Sequence, residues 1–176
     1  ESEADAAGFM AKIDAQAYGG FNLVLGDFNS GAWHWLSNKP GPGLESRVLQ
    51  PGIYGLSNGG LDTPWPKTLG LKKALHSALA TPSEEALESE LMAALRDRRR
   101  AGREDLPSTG VPLALEEALS SAFVDFPEHG YGTRCSTVLV ACAMTEGWDL
   151  AVQEITHAHR ADDKPGVQNI RLRWQR

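Results

Sequence analysis

The spacing of hydrophobic positions changes several times along the chain, and each spacing predicts a different element. Near the start, apolar residues recur every three or four positions, which predicts a helix over residues 2–17 with Ser2 as its N-cap. Two short apolar runs begin at Phe21 and Ala32, and the turn-forming residues between them predict a β-hairpin. Residues 46–58 add one or two strands, so this region is predicted to form an antiparallel meander.

The middle of the chain has a helical period. Between residues 67 and 80 the apolar positions share one face, which predicts a helix. Thr81 is the predicted N-cap of a second helix, with Pro82 at its first position and its end before Gly102. Residues 113–123 predict a third, shorter helix.

The last part of the chain returns to strand patterns. Residues 135–158 carry β-branched and small apolar side chains on both sides of a Thr-Glu-Gly turn, which predicts a second hairpin. The first arm of this hairpin is apolar enough to predict burial on both faces. Residues 169–174 alternate and predict a final strand. Helices mixed with antiparallel strands predict the α+β class.

Composition limits the classes of protein that fit. A chain of 176 residues that is 41% apolar can bury one substantial core, so we expect a single domain over residues 1–176. It has no apolar run of the roughly 20 residues that cross a bilayer. Its formal net charge of −6 argues against a nucleic-acid partner. Cys135 and Cys142 would point to opposite faces of one strand and could not bridge, which suits a cytoplasmic location.

The stretch GLSNGGLDTPWPK, residues 55–67, combines turn formers with two prolines and a tryptophan. Asn58 and two glycines predict a turn after a strand, and Thr63 is the predicted cap of a helix that begins at Pro64. A strand-to-helix junction of this kind places an amide side chain where ligands often bind. The alternative is structural: Asn58 takes a left-handed turn and Trp65 fills a gap in the core.

The stretch YGTRCSTVLV, residues 131–140, places a cation at the start of an apolar strand. Arg134 there needs an anionic partner or a polar cleft, and the alternative to a functional role is a structural ion pair. Among the histidines, His129, just before this stretch, is the candidate for a functional role, and the favoured alternative is a solvated loop histidine. His157 and His159 have a strand spacing but no third ligand nearby, so no metal site is predicted.

Three segments carry a family resemblance: GFNLVLGD, GIYGLSNGGLDTPWPK and YGTRCSTVLV. In this order and spacing, from about Tyr18 to Val140, the chain resembles the transport and Golgi organization family, also called NRDE proteins. Members of that family look like N-terminal-nucleophile hydrolases. The resemblance therefore implies αββα layers, in which antiparallel sheets are flanked by helices.

The chain also departs from the family pattern. Family members begin with a cysteine after the initiator Met, followed by an Asn-Arg-Asp-Glu motif, and neither is present. We therefore expect a domain that lacks its first strands and its nucleophile. The resemblance implies that Asn58 stabilises an oxyanion and that Arg134 lies beside the nucleophile. The same segments supply the candidate binding residues Asp62, Trp65, His129, Tyr131 and Thr133.

Two functions follow from the resemblance. The first is cargo handling, with haem or an acyl-lipid held in a hydrolase-like cleft without turnover. The second is a cysteine amidohydrolase or acyltransferase that acts on linear amide C–N bonds, with its nucleophile in an upstream segment. We favour the first for this chain, which leans away from an enzyme. Haem is the candidate cofactor, and its candidate ligands are His34, His76, His129, Met92 and the two cysteines.

The expected partners follow from the same reasoning. A small-molecule or haem cargo is predicted. Without its first strands, the chain should expose an apolar sheet edge. We therefore expect it to associate with the missing N-terminal segment or with a second copy of itself.

Overall fold

The computed structural model of the protein describes residues 6–28, 30–39, 43–158 and 164–174. Helices and antiparallel strands are both present, which confirms the predicted α+β class. The chain divides into two compact units with a boundary between Thr63 and Pro64. Each unit is described by itself below. The single domain and its αββα layering stay predictions.

The first unit is built on a three-stranded antiparallel sheet. The strands are β1 (Asn22–Asp27), β2 (Ala32–Ser37) and β3 (Glu45–Leu49), hydrogen-bonded in that order. The predicted meander is therefore confirmed. Trp35 and Leu36, successive residues of the central strand, are buried on opposite faces of this sheet.

The predicted helix over residues 2–17 is wrong in length. The structure has a short helix, α1 (Ala6–Met10), and a separate 3₁₀ turn at Ala15–Ala17. The side chain of Asp14 accepts a hydrogen bond from the backbone N–H of Gln16, and such local bonds compete with a continuing helix. The predicted cap Ser2 lies outside the described residues.

The predicted strand before the turn at Asn58 is also wrong. No strand occurs between residues 50 and 65, all of which the structure describes. Gly52 and Gly55, within the predicted strand, raise the entropic cost of an extended ladder. The backbone N–H of Gly55 donates to the side chain of Asp62, so this donor closes a loop and is not available to a sheet.

The second unit begins with helices. Their bounds are α2 (Pro66–Ala78), α3 (Glu84–Leu95) and α4 (Leu113–Ala118). All three predicted helices are present, but two predicted caps are wrong. Trp65 precedes α2, and the hydroxyl of Thr63 donates instead to the carbonyl of Gly60. None of the helices in the described residues is long and apolar enough to span a bilayer.

The start and end of α3 both differ from the prediction. Ser83 is the N-cap and accepts from the backbone of Ala86, whereas the hydroxyl of Thr81 donates to the last turn of α2. The helix ends at Leu95, before the arginine-rich segment. Beyond it, the carbonyl of Asp97 accepts from the backbone N–H of Phe123, which ties this segment to another part of the unit.

Five strands complete the second unit. A two-stranded ribbon joins β4 (Asp125–Phe126) to β5 (Tyr131–Gly132), and the larger sheet has the order β6-β7-β8. Its strands are β6 (Cys135–Met144), β7 (Gly147–Thr156) and β8 (Gly166–Trp174). The predicted hairpin and final strand are therefore confirmed.

Burial on β6 alternates, so the prediction that both of its faces are buried is wrong. Ser136 and Val138 are buried, while Thr137 and Leu139 between them are exposed. Alternation is typical of an antiparallel sheet with one packed face. The last strand, β8, exposes large apolar side chains and pairs with β7 alone in the described part of the chain. Association through this sheet stays a prediction.

Candidate functional site

A closed loop carries Asn58 in the first unit. The backbone N–H of Asp62 donates to the carbonyl of Gly55 at 2.8 Å, and the N–H of Gly55 donates to Oδ1 of Asp62 at 2.8 Å. Asp62 has a φ of 58°, the left-handed conformation that aspartate adopts more readily than most residues. The left-handed residue of this loop is therefore Asp62. The structural alternative that gave this role to Asn58 is wrong.

The loop is tied to the sheet on both sides of Asn58. The carboxamide of Asn22, in β1, donates to the carbonyls of Ser57 at 3.3 Å and Gly59 at 2.8 Å. Its oxygen accepts from the indole Nε1 of Trp35 at 3.1 Å. Every polar atom of the Asn22 side chain is thus in use. We call this arrangement the Asn22 clamp.

The clamp leaves the side chain of Asn58 available. Asn58 is exposed, and its carboxamide forms no hydrogen bond with any residue that the structure describes. An amide held in place only by its backbone can donate to a ligand without breaking a structural bond. The oxyanion role that the resemblance implies for Asn58 stays a prediction.

The structural alternative placed Trp65 in a gap of the core, but the residue is not fully buried. It precedes α2 in the second unit and is half-buried. The ammonium of Lys67 lies 5.9 Å from the centroid of its ring, within cation–π distance.

Thr133 connects the YGTR segment to the chain that precedes β4. Its backbone N–H donates to the carbonyl of Val124 at 2.9 Å, and its hydroxyl accepts from the N–H of Val124 at 2.9 Å. Val124 is buried, so these bonds satisfy backbone groups that water does not reach. Thr133 fixes the position of the residues on either side of Val124.

Arg134 lies at the start of β6. Its carbonyl accepts from the backbone N–H of His157 at 2.8 Å, which joins the beginning of β6 to the end of β7. Its side chain is exposed, and no ion pair joins it to another residue of the described ranges. Among the described residues, the structural ion pair offered as an alternative is therefore absent.

His129 and Tyr131 lie at the two-stranded ribbon. The ring of His129 packs on the ring of Phe126 with 4.2 Å between centroids, and both His129 and Tyr131 are exposed. Tyr131 begins the YGTR segment and His129 lies two residues before it, and neither lines the cleft described next.

A cleft of about 470 Å³ opens where the end of β7 and the start of β8 meet Phe123 and Asp125. It lies within the size range of small-molecule sites. We call it the His157 cleft. Phe123, Ile155 and Val167 form its apolar walls. Its polar groups belong to Arg98, Asp125 and His157.

The polar groups of the His157 cleft are held in place. Arg98 Nη1 lies 2.6 Å from Asp125 Oδ2, and its guanidinium lies 4.4 Å from the ring centroid of Phe123. His157 Nε2 lies 3.0 Å from the hydroxyl of buried Ser136, and its ring meets Phe123 edge to face at 4.7 Å. The cleft therefore presents a cation and an imidazole against an apolar wall.

Sequence reasoning did not find this cleft. His157 was considered only as a metal ligand with His159, which lies outside the described residues. Within the described ranges, no three of the usual metal-binding side chains come together. The pairing of β6 with β7 is the feature that could have indicated the cleft. It places His157, one residue beyond β7, beside Arg134.

Arg134 contacts His157, which lines the cleft, and Thr133 contacts Val124, which lies between the lining residues Phe123 and Asp125. Asn58 and Asp62 lie in the first unit, so the shared pocket predicted for Asn58 and Arg134 stays a prediction.

Comparison with known proteins gives a consistent result. A family model described as Transport and Golgi organisation 2 matches residues 1–147. The Transport and Golgi organization protein 2 homolog of Bos taurus is 30% identical over 155 residues, which cover 81% of this chain and 54% of the relative. The homologs of Homo sapiens and Mus musculus are each 28% identical over 152 residues, with the same coverage.

The chain thus spans about half the length of the curated relatives that it matches. The family model covers well over half of the chain itself. The protein belongs to the Transport and Golgi organisation 2 family.

Proposed function

We propose that this chain is part of a cargo-handling protein that binds a small amphiphilic molecule, an acyl-lipid or haem, in the His157 cleft. The observation that carries this proposal is the position of the cleft against the YGTR segment. The backbone of His157 is bound to Arg134, and Phe123 and Asp125 flank the residue to which Thr133 is bound. The most distinctive motif of the second unit therefore supports a wall of this cleft.

The chemistry of the cleft suits an amphiphile. Phe123, Ile155 and Val167 offer apolar surface, and burying an alkyl group contributes about 0.8 kcal/mol per methylene. Arg98 at the same cleft pairs through Nη1 with Asp125, and the other N–H donors of its guanidinium can bind a carboxylate or phosphate head group. One end of a cargo molecule would thus be apolar and the other anionic.

Of the two cargo classes, the cleft suits an acyl chain better. Haem needs an axial ligand, and Nε2 of His157 is already within hydrogen-bond distance of Ser136. Met92 is buried, and His34, His76 and His129 do not line the cleft. An acyl-lipid needs no such ligand.

A second function is favoured by one specific observation, the free carboxamide of Asn58 on its clamped loop. In a longer protein that supplies a nucleophilic cysteine, Asn58 would donate to the oxyanion formed during cleavage of a linear amide C–N bond. Arg134 would lower the pKa of the thiol through its positive charge. This enzyme would use the αββα layers that the resemblance implies.

A cytoplasmic location belongs to the same proposal. Both cysteines are free thiols, and they lie on opposite faces of β6. Free thiols are typical of proteins in reducing compartments.

Replacing His157 by alanine is expected to weaken binding of a fluorescent fatty acid by about tenfold, because its ring forms part of the cleft wall. Losing contact with the equivalent of about two buried methylenes, at roughly 0.8 kcal/mol each, corresponds to about tenfold in affinity. A fluorescence titration measures this. His129→Ala is the matched control, because His129 lies outside the cleft and should leave affinity within about twofold. Thermal melts confirm that both variants fold.

The same titrations with haemin, followed by its Soret band, compare the two cargoes. Loss of fatty-acid binding on replacing His129 and not His157 would contradict the assignment to the cleft. Saturable haemin binding without fatty-acid binding would reverse the preferred cargo class.

A further inference from the structure

A second cavity lies in the second unit and shares no lining residue with the His157 cleft. It has a volume of about 610 Å³ and lies between α2, the end of α3 and the segments that follow α3 and α4. Small residues form much of its wall: Gly70, Ala74, Ala93, Ala94, Ala101 and Ala122. We call it the Lys67 cavity.

Lys67 is the half-buried cation of this cavity. Its ammonium donates to the backbone carbonyl of Leu119 at 2.9 Å. Burial lowers the pKa of Lys67, because removing an ammonium from water disfavours its charged form. A neutral carbonyl compensates only in part for the water that the ammonium has lost.

No described carboxylate acts as a counter-ion for Lys67. The salt bridges between described residues leave it out. Asp97 is the acidic residue of the cavity wall, but its carboxylate is held by Arg99, with Nη2 of Arg99 2.7 Å from Oδ2 of Asp97. Hydrogen bonds from Arg99 lower the pKa of Asp97, as expected of a carboxylate that already has its partner. Arg100, also in the wall, adds a further positive charge.

We propose that the Lys67 cavity binds a small organic carboxylate with a compact apolar body. The carboxylate pairs with the Lys67 ammonium and supplies the counter-ion that the described residues do not provide. The apolar body lies against the alanine methyl groups, which leave the cavity open where larger side chains would fill it. This site is independent of the proposed function.

The competing explanation is that Lys67 is a structural tether for the chain after α4. A tether needs only the hydrogen bond to Leu119, so an anion should not change the titration of its amine. A binding site predicts the opposite. An anion beside the ammonium favours the charged form and raises the pKa of Lys67.

The test uses the folded chain with ¹³C-labelled lysine side chains, followed by NMR during titration with hexanoate and, separately, with hexanamide. Hexanamide has a similar size but no charge. We expect hexanoate to bind saturably and to raise the pKa of Lys67, and hexanamide to do neither. Lys73, exposed on the same helix, serves as the internal control and should not shift. Equal effects of the two ligands, or no pKa change at Lys67, would overturn the proposal.

Two variants and one further ligand sharpen the result. Lys67→Met is expected to weaken hexanoate binding by about tenfold, and Lys73→Met to leave it unchanged, when binding is followed by the methyl signals of Ala93 and Ala94 in the cavity wall. Unweakened binding by Lys67→Met would refute the site. If Lys67→Met does not fold, the pKa measurement on the unmodified chain decides. Inorganic phosphate should bind more weakly than hexanoate because it gains nothing from the alanine walls, and equal binding would overturn the carboxylate assignment.

Discussion

Replacing Asn22 by alanine is expected to lower the free energy of unfolding by about 1.5–4.5 kcal/mol. The substitution removes the Asn22 clamp, whose three hydrogen bonds join β1 to Ser57, Gly59 and Trp35. Each such bond contributes roughly 0.5–1.5 kcal/mol net, and more where a buried group loses its partner. Urea denaturation, monitored by tryptophan fluorescence and circular dichroism, measures the change.

Asn58→Ala is the matched control, because it makes the same chemical change on the same loop. The carboxamide of Asn58 has no hydrogen bond to a described residue, so its removal should change the free energy of unfolding by less than about 0.5 kcal/mol. Equal destabilisation by the two substitutions would show that Asn58 is a structural residue, and its functional assignment would fail.

In a protein of the relatives' length that supplies a nucleophilic cysteine, Asn58→Ala is expected to lower the rate of amide cleavage by about 10²–10³-fold, as is usual when an oxyanion donor is removed. The unchanged stability of the variant makes this loss specific to the reaction. Steady-state kinetics on a small amide substrate measure it.

Leu56→Ala, exposed on the same loop, is the kinetic control and should keep the rate within about twofold. An unchanged rate for Asn58→Ala would remove Asn58 from the reaction. If the unsubstituted protein of the relatives' length cleaves no amide, the proposed enzyme function fails and cargo binding remains the proposed function.

The hairpin of β6 and β7 illustrates what local sequence determines. Its turn follows from Thr-Glu-Gly, and Gly147 there takes a φ of 108°, which glycine tolerates far better than other residues. The helix caps were harder to predict. Thr81 and Ser83 are both good cap residues, and only the packed structure shows that Thr81 closes the preceding helix.

The candidate site was predictable only where a motif marked it. Asn58 and Arg134 were identified because their segments are distinctive, and both proved to have exposed side chains without described partners. Asn22 gave no such signal, because it donates to Ser57 and Gly59, which lie 35 and 37 positions further along the sequence. The His157 cleft was missed for the same reason: its wall joins segments that are far apart in the chain.

The central claim is that cargo lies in the His157 cleft beside the YGTR segment. It can be tested against a rival apolar surface, the exposed side chains of Leu139, Ile170 and Leu172 on the sheet of β6, β7 and β8. Both surfaces could hold an acyl chain, but only the cleft also offers Arg98 and His157.

Photo-crosslinking with a fatty acid that carries a diazirine, followed by mass spectrometry, measures directly where the chain binds. Our account predicts that label competed by unmodified fatty acid falls on Phe123 and on residues 155–158. Competed label confined to Leu139, Ile170 and Leu172, or the absence of any competed label, would contradict it.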